Sequence, residues 1–240
     1  MSRLRFALLD ASHSDSTRRN FRREVAADLV EFDANDGDLP ADFDFDGVVV
    51  TGSRSSVYWD EDWIPPLVDY VRRAAERGLP ALGVCYGHQV LAEALGGRVE
   101  GMGEYEIGYR TVERTADDPL FEGIDEEFTV FTTHQDAVVE LPPEADLLAE
   151  NEYGVHAFRK GHCWGIQFHP EYDTATAERI ARGKEEHIGS DGVREVLDGI
   201  TEENYAAACE AKRLFDNFCR YAADLRRTGG ATVGTDTAAD

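Results

Sequence analysis

Residues 79–97 read Leu79-Pro-Ala-Leu-Gly-Val-Cys85-Tyr-Gly-His-Gln-Val-Leu-Ala-Glu-Ala-Leu-Gly96-Gly97, and they decide how the rest of the chain is read. An apolar run leads to Val84, glycines stand two residues before and after Cys85, and a helical pattern from His88 to Leu95 stops at the glycine pair. That is a strand, a sharp turn and a helix. A residue at the tip of such a turn is held in a strained backbone conformation that only small neighbours tolerate, and its side chain stands above the sheet edge. The residue here is a thiol at a helix N-terminus, where unpaired N–H groups and the helix dipole favour an anion. The competing reading of Cys85 is a small buried hydrophobe, the usual fate of a single free cysteine. A nucleophile needs a base.

The base is sought further along the chain, in Trp164-Gly-Ile-Gln-Phe-His169-Pro-Glu171. Residues two apart in an extended segment project to one side, and Pro170 keeps the backbone out of helix. His169 and Glu171 therefore share a face. A histidine held by a carboxylate on one ring nitrogen presents the other as a base, giving Cys85, His169 and Glu171 the roles of a nucleophilic triad. The order Cys, His, Glu differs from the Ser, Asp, His order of the α/β-hydrolases. His13, His156, His162 and His187 have no such context and read as surface or structural residues.

Working outward, Arg3 to Asp10 reads as a strand, and Phe21, Val25 and Leu29 mark a helix with a second strand near Leu29 to Phe32. Gly47-Val-Val-Val-Thr-Gly52 is a continuous apolar strand of the kind buried on both faces. Trp63, Leu67, Val71 and Ala74 form one face of a helix ended by Gly78. This is βαβ order with a parallel sheet, so the loop after Gly52 and the turn at Cys85 should lie side by side at the carboxyl ends of their strands. That loop can offer a backbone N–H to the site. From Arg98 to Ala157 shorter β segments (Arg98 to Glu104, Ile107 to Arg114, Phe128 to Thr133, Ala137 to Leu141) predict an antiparallel extension. A hairpin turning at Lys160-Gly161 then delivers His169. The predicted fold is an α/β domain over residues 1–227, an open, mostly parallel, flavodoxin-like sheet flanked by helices. Its C-terminal helical part, 172–227, has a helix from Thr174 to Ile180, a polar break near Gly189 to Gly192 and a long helix from Glu202 to Leu225. Residues 228–240 read as a disordered tail.

Acidic residues number 48 against 24 basic, a net charge of −24, and only Lys160, Lys184 and Lys212 are lysines. Such a chain repels nucleic acid and anionic membranes. The excess is spread along the chain, which reads as a solvated acidic surface of the halophilic type, screened by salt. Cysteines 85, 163, 209 and 219 include no Cys-x-x-Cys pair, so neither a zinc site nor a disulfide framework is expected, and no cofactor. With no apolar run long enough for a signal peptide or a membrane span, the expected location is cytoplasmic.

Three motifs, Gly83-Val-Cys85-Tyr-Gly87-His-Gln89, Thr133-His-Gln-Asp136 and Gly165-Ile-Gln-Phe-His169-Pro-Glu171, resemble the class I, or triad, glutamine amidotransferases. The similarity spans roughly residues 45 to 173 and lies in the branch like the glutaminase subunit of GMP synthetase. The resemblance implies that Cys85 attacks the side-chain amide of glutamine, His169 protonates departing ammonia and Glu171 orients His169. Water then releases glutamate from a γ-glutamyl thioester. The oxyanion needs preorganised donors, here the backbone N–H groups of Tyr86 and of the loop at Gly52 and Ser53. By the same resemblance Gln89 contacts the substrate, and the backbone around Thr133 and His134 holds its α-amino and carboxylate groups. A separate ammonia-accepting synthetase subunit is an implied partner. Many relatives carry Gly-Gly-Pro where this chain has Gly52-Ser53-Arg54, and no phosphate-binding Ser-Gly-Gly stretch occurs. The loop Val57 to Trp63 and the run Ala94 to Gly97 also look like the γ-glutamyl peptidases of the same superfamily. A non-catalytic regulatory subunit is a third reading, opposed by the intact triad.

Overall fold

Arg5–Asp10 (β1), with five of six residues buried, lies between two parallel neighbours, β2 (Asp28–Asp33) and β3 (Gly47–Val50). The structure is a computed structural model and describes residues 3–12 and 14–229. The sheet continues through β4 (Ala81–Val84) to β9 (Cys163–Ile166), both fully buried and parallel. Beyond β9 the strands turn antiparallel: β8 (Gly154–Lys160), β7 (Asp146–Asn151), β5 (Arg98–Arg114) and β6 (Glu127–Glu140) complete a nine-stranded sheet in the order β2-β1-β3-β4-β9-β8-β7-β5-β6. The α/β sheet flanked by helices, parallel at one side with an antiparallel extension, is as expected from the sequence, but the extension is larger than a mostly parallel sheet implies: four pairings are parallel and four antiparallel.

Alternation along β1 explains the two layers. Phe6 and Leu8 face a core shared with α1 (Asp15–Glu24) and α7 (Arg213–Gly229), where Phe6 meets Phe218 and Phe21 meets Phe215 edge-on. Ala7 and Leu9 face the opposite core, with α2 (Ile64–Glu76) and α3 (Tyr86–Ala94). Leu214, Phe215, Phe218 and Ala222 form the buried stripe of α7. Each such large apolar side chain contributes about 1.5–3 kcal/mol of burial.

Several expectations are corrected. The four short β segments of 98–141 are two long strands, because β5 and β6 pair through a lapse in register between Gly101 and Glu106. Strand β7 was not anticipated; Leu148 and Ala149 are its buried pair. Helix α1 ends at Glu24, with Val25 as its C-cap, and Leu29 lies within β2. The expected break after α4 (Thr174–Arg182) is present but narrower, a single non-helical residue, Gly189 (φ 71°, ψ 168°), between the two helical stretches of α5 (Glu185–Asp198). The long helix over 202–225 is α6 (Glu202–Ala208), a 3-10 turn over Cys209–Lys212, and α7. Helix α7 runs past the predicted start of the tail: Thr228 is helical, its hydroxyl donating to the carbonyls of Asp224 and Leu225. The rest of the predicted tail, 230–240, and His13 lie outside the described residues. Among the described residues no helix is long and apolar enough to cross a membrane.

Candidate active site

Cys85 sits at the junction of β4 and α3 with φ 54° and ψ −105°, one of two non-glycine residues with positive φ among those described. The residues two positions before and after it must be glycine because the chain packs closely there. A Cβ at Gly83 would lie 2.1 Å from the Gly87 carbonyl oxygen, and one at Gly87 would lie 2.3 Å from the Val50 carbonyl oxygen. Two backbone bonds fix the turn: Cys85 N–H donates to Ile166 O (2.8 Å) and Gly87 N–H to Thr51 O (3.1 Å).

Pairing of Val84 with Ile166 brings the segment after β9 up beside the turn. His169 N–H donates to Phe131 O (2.9 Å), and its Nδ1–H donates to Glu171 Oε1 at 2.8 Å. His169 Nε2 is buried and has no hydrogen-bond partner, while the Cys85 thiol is directed at the Thr133 carbonyl, 3.8 Å away. Burial alone would lower the basicity of His169, but the Glu171 carboxylate and the Cys85 sulfur outweigh it and push the imidazole up to about 10. Tyr172 stacks on the same ring, centroids 4.1 Å apart and planes 16° apart. Arg23 of α1 ties the segment from behind, donating to the Glu171 carbonyl (2.6 Å) and the Asp173 carboxylate (2.8 Å).

Cys85, His169 and Glu171 open onto a cavity of about 400 Å³. A thiol, an imidazole and a carboxylate so placed at the carboxyl ends of parallel strands have the geometry that could serve as nucleophile, base and orienting group. The family model for glutamine amidotransferase class-I matches residues 8–182, which include all three. This chain belongs to the class I glutamine amidotransferases. It is thereby a cysteine-dependent amidohydrolase, as the motifs implied. GMP synthase [glutamine-hydrolyzing] of Thermomicrobium roseum is 35% identical over 196 residues, covering 71% of this chain and 36% of that protein. The enzyme of the same name from Azoarcus sp. is 31% identical over 218 residues, covering 84% of this chain and 41% of that protein. The chain thus spans about two fifths or less of the length of these relatives. A glutamine amidotransferase crystal structure from Thermotoga maritima superposes with a TM-score of 0.76 at 23% identity, covering 91% of this chain and 99% of that one, a likeness of fold.

The other residues singled out from this amidotransferase's sequence gather at the same cavity. Gly52 and Ser53 follow β3 and line it, and Tyr86 opens helix α3, whose first N–H groups have no partner within the helix. Gln89, one turn on, reaches Gln167 Oε1 (3.2 Å) and the Asp136 carbonyl (3.4 Å) through its amide nitrogen. Thr133 and His134 border the cavity from β6. His187, read as a surface or structural residue, also lines it, beside Tyr105. The Asp136 carboxylate was not foreseen as an anchor, yet it accepts from Ser56 Oγ (2.6 Å) and Tyr58 OH (2.7 Å), tying the loop after Gly52 to β6. Nor was the wall from α4 and α5, where Lys184 lies over the Tyr105 ring at 4.9 Å. Tyr172 could have been suspected from its place next to Glu171, and Gln167 from its place two residues before His169 on the same face.

Among the described residues one group has the composition and spacing to hold a metal: Glu106, His134 and His156, whose ligand atoms lie within 4.8 Å of one another. Those atoms already meet one another, Glu106 Oε2 standing 2.5 Å from His134 Nε2 and 3.2 Å from His156 Nε2. A divalent ion bound by all three would have to part Glu106 from His134, which already meet in a hydrogen bond.

Proposed function

We propose that this chain hydrolyses the side-chain amide of glutamine and passes ammonia to a separate synthetase. The observation that carries the reading is the constellation at the cavity: Cys85 on a strained turn, with His169 held at 2.8 Å by Glu171. The Cys85 thiolate attacks the amide carbon, and the carbonyl π electrons move onto oxygen. Backbone N–H groups of Tyr86 and of the loop at Gly52 and Ser53 receive that oxyanion. Collapse of the intermediate expels the amine, to which protonated His169 gives its proton, and ammonia leaves a γ-glutamyl thioester on Cys85. His169 then takes a proton from water, whose oxygen attacks the thioester. Glutamate leaves and the sulfur is restored. Gln89 and the backbone of Thr133 and His134 hold the α-amino and carboxylate groups.

A synthetase partner is supported by the relatives' printed name, GMP synthase [glutamine-hydrolyzing]. The test is steady-state hydrolysis of glutamine and of γ-glutamyl dipeptides by the purified protein in high salt, with and without cell extract. The expected result is slow glutamine hydrolysis that extract accelerates, and loss of it in Cys85→Ala. Efficient cleavage of dipeptides, with glutamine a far poorer substrate that extract leaves unchanged, would replace the reading with that of a γ-glutamyl peptidase.

A further inference from the structure

Glu106 is a fully buried carboxylate that the chemistry above does not use. Pairing between β5 and β6 lapses after Gly101 and resumes at Glu106 opposite His134, so the two side chains stand next to each other across the ladder. Glu106 Oε2 is 2.5 Å from His134 Nε2, and Asn151 of β7 donates to Glu106 Oε1 at 2.7 Å. On its other side the His134 ring meets the main-chain carbonyl of Asp136, with Nδ1 at 2.9 Å.

A carbonyl oxygen only accepts, so His134 Nδ1 carries a proton. An ionised carboxylate also only accepts, so Nε2 carries one too. Glu106 is ionised: burial would raise its pKa, but hydrogen bonds from His134 and His156 hold it well below the usual carboxylate range. The geometry thus sets one proton on Nδ1 and another in the short buried hydrogen bond between Nε2 and Glu106, and burial lowers the basicity of His156 beside it. What this anchor holds is the segment that faces the nucleophile. The carbonyl preceding His134 is the Thr133 oxygen 3.8 Å from Cys85 Sγ, and the Asp136 carbonyl gripped by the His134 ring also accepts from Gln89.

We propose that Glu106 is a positioning residue which, through its ionic hydrogen bond to His134, fixes the Thr133 to Asp136 backbone as the clamp for the substrate's α-amino and carboxylate groups. The proposal rests on the glutaminase reading for what the clamp holds. Its geometry is independent of that reading.

Two measurements test it. In glutamine kinetics, Glu106→Gln keeps the shape and removes the charge, and it should raise KM about tenfold or more while kcat changes by less than about threefold. Because Glu106 acts through His134, the same change made in a His134→Gln background should add nothing further. An unchanged KM in folded Glu106→Gln, or independent effects in the double variant, would overturn the proposal. The second measurement needs neither substrate nor variant. Nitrogen-15 NMR of the wild-type protein at neutral pH should show protons on both His134 ring nitrogens. A singly protonated ring would overturn the anchor even if Glu106→Gln fails to fold. Both protons present without any glutamine turnover would uphold the anchor and count against the glutaminase reading alone.

Discussion

Gly52 and His169 approach so closely that no side chain fits between them: a Cβ on Gly52 would stand 3.0 Å from His169 Cε1 and 3.6 Å from Cys85 Cβ. The imidazole can give way only slightly, since Glu171 holds its Nδ1 and Tyr172 covers one face. Gly52→Ala should therefore displace the base by a few tenths of an ångström and lower kcat about 10–100-fold. Thermal stability should change little, because Gly52 does not occupy the left-handed region and one methyl is all that is added. Wild-type kcat in Gly52→Ala would show that the ring tolerates the shift.

The thiol at position 85 is held in a conformation that costs a non-glycine residue about 1–3 kcal/mol. Cys85→Ala keeps that cost, and Cys85→Gly relieves it at the expense of greater unfolded-chain entropy. Both variants should lose all turnover, and Cys85→Gly should be the more stable of the two by about 1 kcal/mol in urea unfolding. Equal midpoints would mean that the turn is not strained.

Helix α4 offers a further check on how the triad segment is seated. Asn20 on α1 donates to Thr176 Oγ1, and Arg23 on the same helix reaches the Glu171 carbonyl and the Asp173 carboxylate. Arg23→Ala should leave KM nearly unchanged and lower kcat, by about threefold to tenfold, as Glu171 gains freedom. A large rise in KM with kcat intact would place the role of Arg23 elsewhere.

The parallel half of the fold was legible because its signals are local. Gly47 to Gly52 and Leu79 to Val84 are uninterrupted apolar runs, and the glycines around Cys85 are demanded by contacts within a few residues of it or with the adjacent strand end. The His169 and Glu171 pair was legible for the same reason, since period-two alternation alone puts them on one face. Glu106 was not, because its meaning depends on lying opposite His134 across the β5–β6 ladder, and that register follows from an irregularity no local pattern announces. Asp136 is similar: its partners Ser56 and Tyr58 are about 80 residues away, joined to it by tertiary folding alone. The end of α7 was placed too early because Gly, Thr and Asp are poor helix formers, whereas the last turns are held by Arg226 donating to Asp46 and by the Thr228 hydroxyl donating to the Asp224 and Leu225 carbonyls.

Salt should stabilise this protein. Screening weakens both attraction and repulsion among exposed charges, so the sign depends on which is larger. Exposed ion pairs such as Arg72 with Asp69, or Arg194 with Asp191, contribute little in high dielectric. With 48 acidic residues against 24 basic ones, unpaired like charges outnumber the pairs. The melting temperature should rise steadily from low to molar potassium chloride, a salt chosen because sulfate would add an excluded-solute effect of its own. A flat or falling melting temperature would end the halophilic reading.

The pH dependence of activity should be set on its alkaline side by His169. Its folded value, about 10, lies above the ordinary histidine value, so the protonated ring persists through neutral pH and its stabilisation is complete below that ordinary value. As pH rises through about 10 the imidazolium is lost, and with it both the proton for the departing amine and the stabilising contact with Glu171. Activity should thus hold across neutral pH and fall above about 10, and folding stability should decline over the same rise. Glu171→Gln removes the carboxylate that most raises His169, leaving burial to lower it and the Cys85 sulfur to oppose that. The alkaline limb should accordingly move to lower pH, and the maximum rate should drop as the ring loses its orientation. The measurement is kcat/KM for glutamine from pH 6 to 11 in molar salt, for wild type and Glu171→Gln, with unfolding midpoints over the same range. A limb that stays in place in Glu171→Gln would assign it to a group other than His169, and a limb displaced upward would contradict the sign of the electrostatics argued here.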